Sequence, residues 1–421
     1  MQPQFQGGIM RRNVLSRSAF AAFAAFFAFV LHPALAAAPG NGIDSYLQAQ
    51  QQATHIPGMV AMVVDRNSVR YAGAFGRQDV AGGIPMRTDT IFRIASMTKP
   101  VTSLAVMMLV EQRKLGLDDP IEKYLPEYAD PQVFDTIYPL DRRYTTRPAV
   151  RSISVRHLLT HTSGLGYPFA SLALTQLQPA QGGGPSQPLP QPLPLLHDPG
   201  EEWTYGESTR VLGRLVEKIS GQGLEAFLRE RIFVPLGMPD TSYTVPAEKR
   251  MRVATTHRWD NGRLVETPNP QSITSPPNGD GGLHSTAADY AKFIQLFLNE
   301  GRAPDGRQLV SRRAIRDMGR NHSRVRVRLQ DAATPALSAV FPLGAGRDSF
   351  GLGFQVTGEP AVAGMRTPGS LSWAGIFNTE FWIDPARGVG GILLMQYLPF
   401  YDRAAVETLQ GFEQQVYRGV D

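Results

Sequence analysis

Ser96 and Lys99, in the run Ser96-Met97-Thr98-Lys99, put a hydroxyl and an amine one helical turn apart. Residues i and i+3 share a helix face, so the amine can take the hydroxyl proton or hold a neighbouring base that does. That is one recipe for an activated serine nucleophile. The chain carries six lysines, at 99, 114, 123, 218, 249 and 292, and only Lys99 has a serine three residues before it. A lone Ser-x-x-Lys is a weak signal, so its context must decide. A second pair with chemical spacing, His157 and His161 at i, i+4, matches two metal ligands on a helix. No glutamate follows His157 and no third ligand is near, so the pair reads as structural and no metal is expected.

The elements around Ser96 follow from pattern. Val101, Leu104, Ala105, Met108 and Leu109 keep a helical stripe that Gly116 is expected to close. Pro100 is tolerated only in a first turn, which puts Ser96 and Lys99 at the helix N-terminal end, where backbone N–H groups favour negative charge. Upstream, 42–55 reads as a polar helix. The apolar runs 59–64 and 69–74, split by Asp65-Arg66-Asn67-Ser68, read as a hairpin. Further helices are expected at 154–160, 208–220, 224–231, 286–299 and 402–417, with Thr286 and Asp289 forming a capping box. Strands are expected at 351–356, 369–374, 378–384 and 389–396, the last two joined by the turn Asp384-Pro385-Ala386-Arg387-Gly388. Segment 166–199, with Gly182-Gly183-Gly184 and five nearby prolines, reads as a loop that can form part of a substrate rim.

Strands at both chain ends around a helical middle predict an α/β (α+β) fold: one antiparallel sheet flanked by helices, with an inserted, mainly helical region. The expected boundaries are a leader at 1–36, sheet regions at 37–93 and 300–421, and helical residues 94–299. The leader reading rests on Arg11, Arg12 and Arg17, an apolar stretch over 19–31, and an Ala34-Leu35-Ala36 cleavage site. It predicts an exported, periplasmic or secreted protein, with membrane contact only if the leader stays uncleaved. The chain has no cysteine, so disulfide, thiolate and cysteine-metal chemistry are excluded. Of the formal net charge of +5, three charges belong to the leader arginines, and no basic patch suited to nucleic acid is visible.

Four stretches resemble, in order over about 43–415, the serine β-lactamase and penicillin-binding-protein superfamily. They are most similar to its class C β-lactamases and family VIII carboxylesterases. Phe92 to Pro100 resembles the nucleophile motif, and Ser154 to Leu165 a structural helix-to-loop segment. Pro199 to Tyr205, followed by Leu212-Gly213, resembles the stretch with the catalytic tyrosine, and Gly281 to Tyr290 a later helix start. The resemblance implies that Tyr205 serves as base to Ser96, with the Lys99 cation lowering the phenol's pKa. The family's Tyr-x-Asn is here Tyr205-Gly206-Glu207; a carboxylate accepts where an amide also donates, and Glu207 is expected to pair with Lys99 or point to solvent. The family's Lys-Thr-Gly edge-strand motif has no counterpart, since no lysine follows Lys292. Trp373-Ala374-Gly375 stands in its place, similar to the Trp-Gly-Gly of the esterase branch. The resemblance implies oxyanion donors at the N–H groups of Ser96 and Ile376, and a substrate wall at Trp373 beside the small Ala374 and Gly375.

The expected function is therefore a cofactor-free serine hydrolase that cleaves carboxylic esters through an acyl-enzyme on Ser96. Its partner is a small-molecule ester or amide. Two alternatives stay open: a β-lactamase or D-amino-acid peptidase acting on cell-wall-like amides, with Arg347, Arg366 or Arg387 as substitute cation, and a non-catalytic cell-envelope binding protein on the same fold. The absence of a Gly-x-Ser-x-Gly elbow argues against an α/β-hydrolase.

Overall fold

Val60, Met62 and Val64 enter one hydrophobic core, while Met59, Ala61 and Val63 enter another. This split with period two is what a strand covered on both faces requires. The computed structural model describes residues 40–178, 190–331, 333–359 and 362–419. The expected leader, and 179–189 of the Gly/Pro-rich segment, lie outside them.

The sheet has eight antiparallel strands, in the order 349–350, 355–356, 371–375, 379–384, 389–395, 58–65, 69–79 and 84–85. Strands from the two chain ends meet where Met59 pairs with Met395 and Val63 with Gly391. Strands Thr379–Asp384 and Val389–Met395 are buried along their whole length. Ile392 and Leu394 face the same core as the helix Ala287–Leu298. Trp382, Leu393 and Met395 face the terminal helices Gly40–Ala53 and Arg403–Arg418. The mixed α/β architecture, with its antiparallel sheet and flanking helices, is the one expected from the sequence.

Several local expectations need correction. The chain turns through 351–354, Gly351 N donating to Phe354 O at 2.8 Å, so 351–356 is a turn followed by the short strand Gln355–Val356, which pairs with Ser349–Phe350 before the turn. The helix after Ser96 spans Thr98–Glu111 and stops before Gly116. It is buried on every side from Thr98 to Leu109, and so is a central core helix rather than an amphipathic one. Segment 166–199 is not all loop, because Leu172–Leu177 is helical. Two hairpins went unanticipated, Gln132–Tyr138 with Arg143–Pro148 and Thr256–Asp260 with Arg263–Thr267. The second carried a readable signal: Asn261-Gly262, with φ of 48° and 79°, is a two-residue turn of the kind that matches strand twist.

Candidate active site

Ser96 lies in a single helical turn, Ala95–Met97, that feeds directly into Thr98–Glu111. Pro100 falls in the first turn of that helix, as its missing N–H demands. Ala95 takes a left-handed φ of 43°, a conformation that disfavours a residue with a Cβ by about 1–2 kcal/mol. Its surroundings hold it there. Ile94 N donates to Leu283 O at 3.0 Å, and the Tyr290 hydroxyl donates to Met97 O at 2.9 Å. Three side chains near the start of the helix tie it to the 279–283 segment. Thr98 Oγ1 accepts from Leu283 N at 3.4 Å, Lys99 Nζ donates to Asp280 O at 2.7 Å, and Thr102 Oγ1 donates to Gly279 O at 2.8 Å.

Lys99 is buried, and its ammonium also donates to Ser96 Oγ at 3.1 Å. It lies 4.8 Å from the ring centre of Tyr205 and 5.4 Å from that of Tyr167, so two aromatic faces help to hold a cation out of water. The Tyr205 hydroxyl donates to Ser96 Oγ at 2.6 Å. Tyr205 sits just before the helix Ser208–Ser220, and its backbone N–H donates to Gln330 Oε1 at 3.1 Å. Around its ring stand His161, Tyr167, Phe341 and Trp373, with centroids 5.3–5.4 Å away. Ser96 Oγ thus has an acid and a cation within hydrogen-bond reach, drawn from chain positions more than a hundred residues apart.

The end of the strand Leu371–Gly375 docks on the turn before Ser96. Thr379 Oγ1 donates to Ile94 O at 3.3 Å, and a Cβ on Gly375 would lie 2.3 Å from that same oxygen. Only glycine allows so close a backbone approach. Ser96 and Ile376 consequently line one cavity of about 360 Å³, whose walls include Phe169, Tyr205, Phe341 and Trp373. Ala374 also lines it. Phe169 comes from the 166–199 segment, which therefore does reach the rim.

Glu207 does neither of the things expected of it. It is half-buried, and Arg210 Nη1 donates to its carboxylate at 2.6 Å. Burial raises its pKa, and the Arg210 charge opposes that rise. Arg210 also pairs through Nε with Asp280 Oδ2 at 3.3 Å, and the Tyr167 hydroxyl donates to the same carboxylate oxygen. Burial first, and the Asp280 charge second, push the Tyr167 phenol well above its ordinary pKa, so it keeps its proton as a donor. Glu207 through Arg210 on one side, and Tyr167 on the other, converge on Asp280, the residue whose carbonyl holds Lys99. Sequence reasoning missed Asp280, Tyr167 and Gln330.

The two histidines do separate structural work. His157 forms a reciprocal cap with Ser154 at the start of Val155–Leu159. His161 is buried against the rings of Trp373 and Tyr205, and burial, then the Lys99 charge, depress its pKa to about 3. A ring held neutral at every ordinary pH is no proton shuttle. Thr286 caps its helix by accepting from Asp289 N at 3.1 Å, whereas the Asp289 carboxylate accepts from Asp240 N at 2.7 Å and Thr241 Oγ1 at 3.0 Å.

A family model described as Beta-lactamase matches residues 43–415. The chain belongs to that family. Protein Rv1367c of Mycobacterium tuberculosis is 37% identical over 370 residues, covering 85% of this chain and 90% of the relative. Esterase EstB of Burkholderia gladioli is 30% identical over 387 residues, covering 84% and 89%. Among solved structures, unliganded simvastatin synthase (LovD) from Aspergillus terreus superposes with a TM-score of 0.75 at 27% identity, over 91% of this chain and 98% of that one. Within this beta-lactamase-family chain, the described C-terminal strands carry Trp373-Ala374-Gly375 beside the serine.

Proposed function

We propose that the protein is an exported serine hydrolase that cleaves carboxylic esters through an acyl-enzyme on Ser96. The observation that carries this reading is the 2.6 Å contact between Tyr205 and Ser96 Oγ, with the Lys99 ammonium 3.1 Å from the same oxygen. Tyr205 as phenolate accepts the Ser96 proton while Oγ attacks the ester carbonyl carbon. The Lys99 ammonium, 3.1 Å from Ser96 Oγ, offsets the negative charge that passes between the two oxygens as the proton moves. The N–H groups of Ser96 and Ile376 stabilise the oxyanion as the tetrahedral intermediate forms. Collapse breaks the bond to the alcohol, which leaves with the proton held by Tyr205. Water then attacks the acyl-Ser96 carbonyl, giving one proton to Tyr205; collapse breaks the bond to Ser96 Oγ, which takes that proton from Tyr205, and the acid departs. An alcohol seated in place of water would receive the acyl group instead.

The esterase among the relatives supports ester over amide substrates, as does the state of the nearby cations. Arg347 and Arg366 line the cavity, but they pair with Asp348 at 3.1 Å and Glu413 at 2.7 Å. Arg387 stacks over Tyr417, 5.9 Å from the ring centre. None repeats the lysine that β-lactam recognition uses. The test is a panel of p-nitrophenyl esters of increasing acyl length beside nitrocefin, run with wild type and Ser96→Ala. Ester turnover that depends on Ser96 is expected. Nitrocefin turnover with the higher kcat/KM would reverse the assignment to β-lactamase. A native protein that turns over neither substrate and takes no fluorophosphonate label would be a binding protein.

A further inference from the structure

The cavity that opens on Ser96 extends beyond Trp373. Ser372, Ala374 and Glu380 also line it. Ala374 pairs with Glu380 across the two adjacent antiparallel strands, so their side chains share the face opposite Trp373 and Phe381. Glu380 is only 8% exposed. Among the described residues its carboxyl has neither a hydrogen-bond nor an ion-pair partner. Every other charged side chain on this wall is engaged: Arg366 gives Glu413 two hydrogen bonds, at 3.0 and 2.7 Å, and Arg347 pairs with Asp348. The Glu380 oxygens are not sealed in the core but open on the cavity, where an entering group can pair with them.

We propose that Glu380 is the recognition group of an inner subsite of the Ser96 cavity, and that this subsite takes a neutral oxygen-bearing substituent of the substrate, a hydroxyl or carbonyl. Burial pushes the Glu380 carboxyl well above the usual carboxylate range, against the pull of Arg366. In its protonated form that carboxyl both donates and accepts, which suits a hydroxyl or a carbonyl partner. An ammonium group is disfavoured because a protonated Glu380 gives it no counter-charge, and Asp348 and Glu413 are already held by Arg347 and Arg366. A carboxylate is disfavoured because both guanidiniums are already paired and Glu380 would face it. The substrate class narrows from esters in general to hydroxy or oxo esters. This narrowing rests on the ester-hydrolase reading, whereas the subsite itself can be read without turnover.

The experiment compares ester pairs that differ only by a terminal hydroxyl in place of a methyl, such as p-nitrophenyl ω-hydroxyhexanoate and heptanoate. A matching pair places the change on the alcohol side, ω-hydroxyhexyl and heptyl acetate. Wild type should favour the hydroxylated member of one pair by about 10-fold or more in kcat/KM. Glu380→Leu should abolish or reverse that preference, and Glu380→Gln, which keeps a donor and an acceptor, should retain most of it. Melting temperatures of both variants report folding separately. Calorimetric titration of Ser96→Ala with the same esters, alone and combined with Glu380→Leu, reads the preference without chemistry. Failure of wild type to cleave any ester while the calorimetric preference persists would sink the hydrolase reading and leave the subsite standing. A hydroxyl-to-methyl ratio that is the same with and without Glu380, in either assay, would overturn the subsite.

Discussion

The Asp280 carbonyl holds the Lys99 ammonium at 2.7 Å, closer than Ser96 Oγ at 3.1 Å. The cation is therefore anchored by backbone, and that backbone is fixed in turn by what the Asp280 side chain touches. Arg210 bridges Asp280 and Glu207, so Arg210→Met frees Glu207 and leaves the Asp280 carboxylate held by Tyr167 alone. A displaced reacting group can lower turnover by as much as about 10²-fold. For this indirect route we expect kcat to fall about 10-fold with KM little changed, and Arg210→Lys to restore part of the loss. A rise in KM alone would mean that Arg210 touches substrate rather than positioning Lys99.

Removing the groups at the oxygen itself should have far larger effects. Ser96→Ala should leave no measurable ester turnover while the melting temperature stays near wild type, because the hydroxyl sits half-buried at a cavity wall. Tyr205→Phe keeps the ring packing against Trp373 and Phe341 and removes only the hydroxyl. It should lower kcat by at least about 10²-fold, the scale of lost general acid–base catalysis. Lys99→Ala should come close to Ser96→Ala. Full activity in Tyr205→Phe would pass the role of base to Lys99.

What the sequence made legible was chemistry carried by side chains in recognisable runs. Ser96 and Lys99 were readable from spacing, and Tyr205 and Trp373 from their flanking residues. Asp280 was not, because it holds Lys99 through a carbonyl oxygen that every residue possesses. Glu207 was misread although its partner, Arg210, stands three residues on in the first turn of the following helix, an i, i+3 spacing that was open to reading. Segment 351–356 looked like one strand because Leu352 and Phe354 alternate with glycines, yet those glycines sit where the chain turns. Glu380 could be placed on a strand, but a period of two does not reveal that its face borders the serine's cavity.

His161 gives the fold an acid sensitivity with a definite sign. Its pKa is about 3 in the folded protein and about 6.5 in an unfolded chain. Between those values protons bind the unfolded state more readily than the native one. The stability that depends on His161 is complete above about pH 6.5. It is lost as pH falls toward 3, with a slope of at most about 1.4 kcal/mol per pH unit. His161→Phe should remove this slope, so that its urea midpoint falls less between neutral pH and about pH 4.5 than that of wild type. Equal losses in the two proteins would mean that the ring is already solvated in the native state.

Gly375→Ala tests whether the strand end beside Ser96 supplies the second oxyanion donor. The added Cβ would lie 2.3 Å from both Ile94 O and Thr379 Oγ1, well inside contact distance. Neither neighbour can yield easily, since Ile94 is pinned by Leu283 and Thr379 pairs with Gly375 itself. The strand must therefore back away from the turn before Ser96, taking the N–H of Ile376 with it. Crowding of this kind destabilises by about 1–3 kcal/mol, which should appear as a lowered melting temperature. Loss of one oxyanion donor lowers kcat by about 10²–10³-fold. A kcat reduced by at least about 10-fold in protein that still melts cooperatively is the expected result. Wild-type kcat in that variant would remove Ile376 from the mechanism and leave the oxyanion to Ser96 N–H alone.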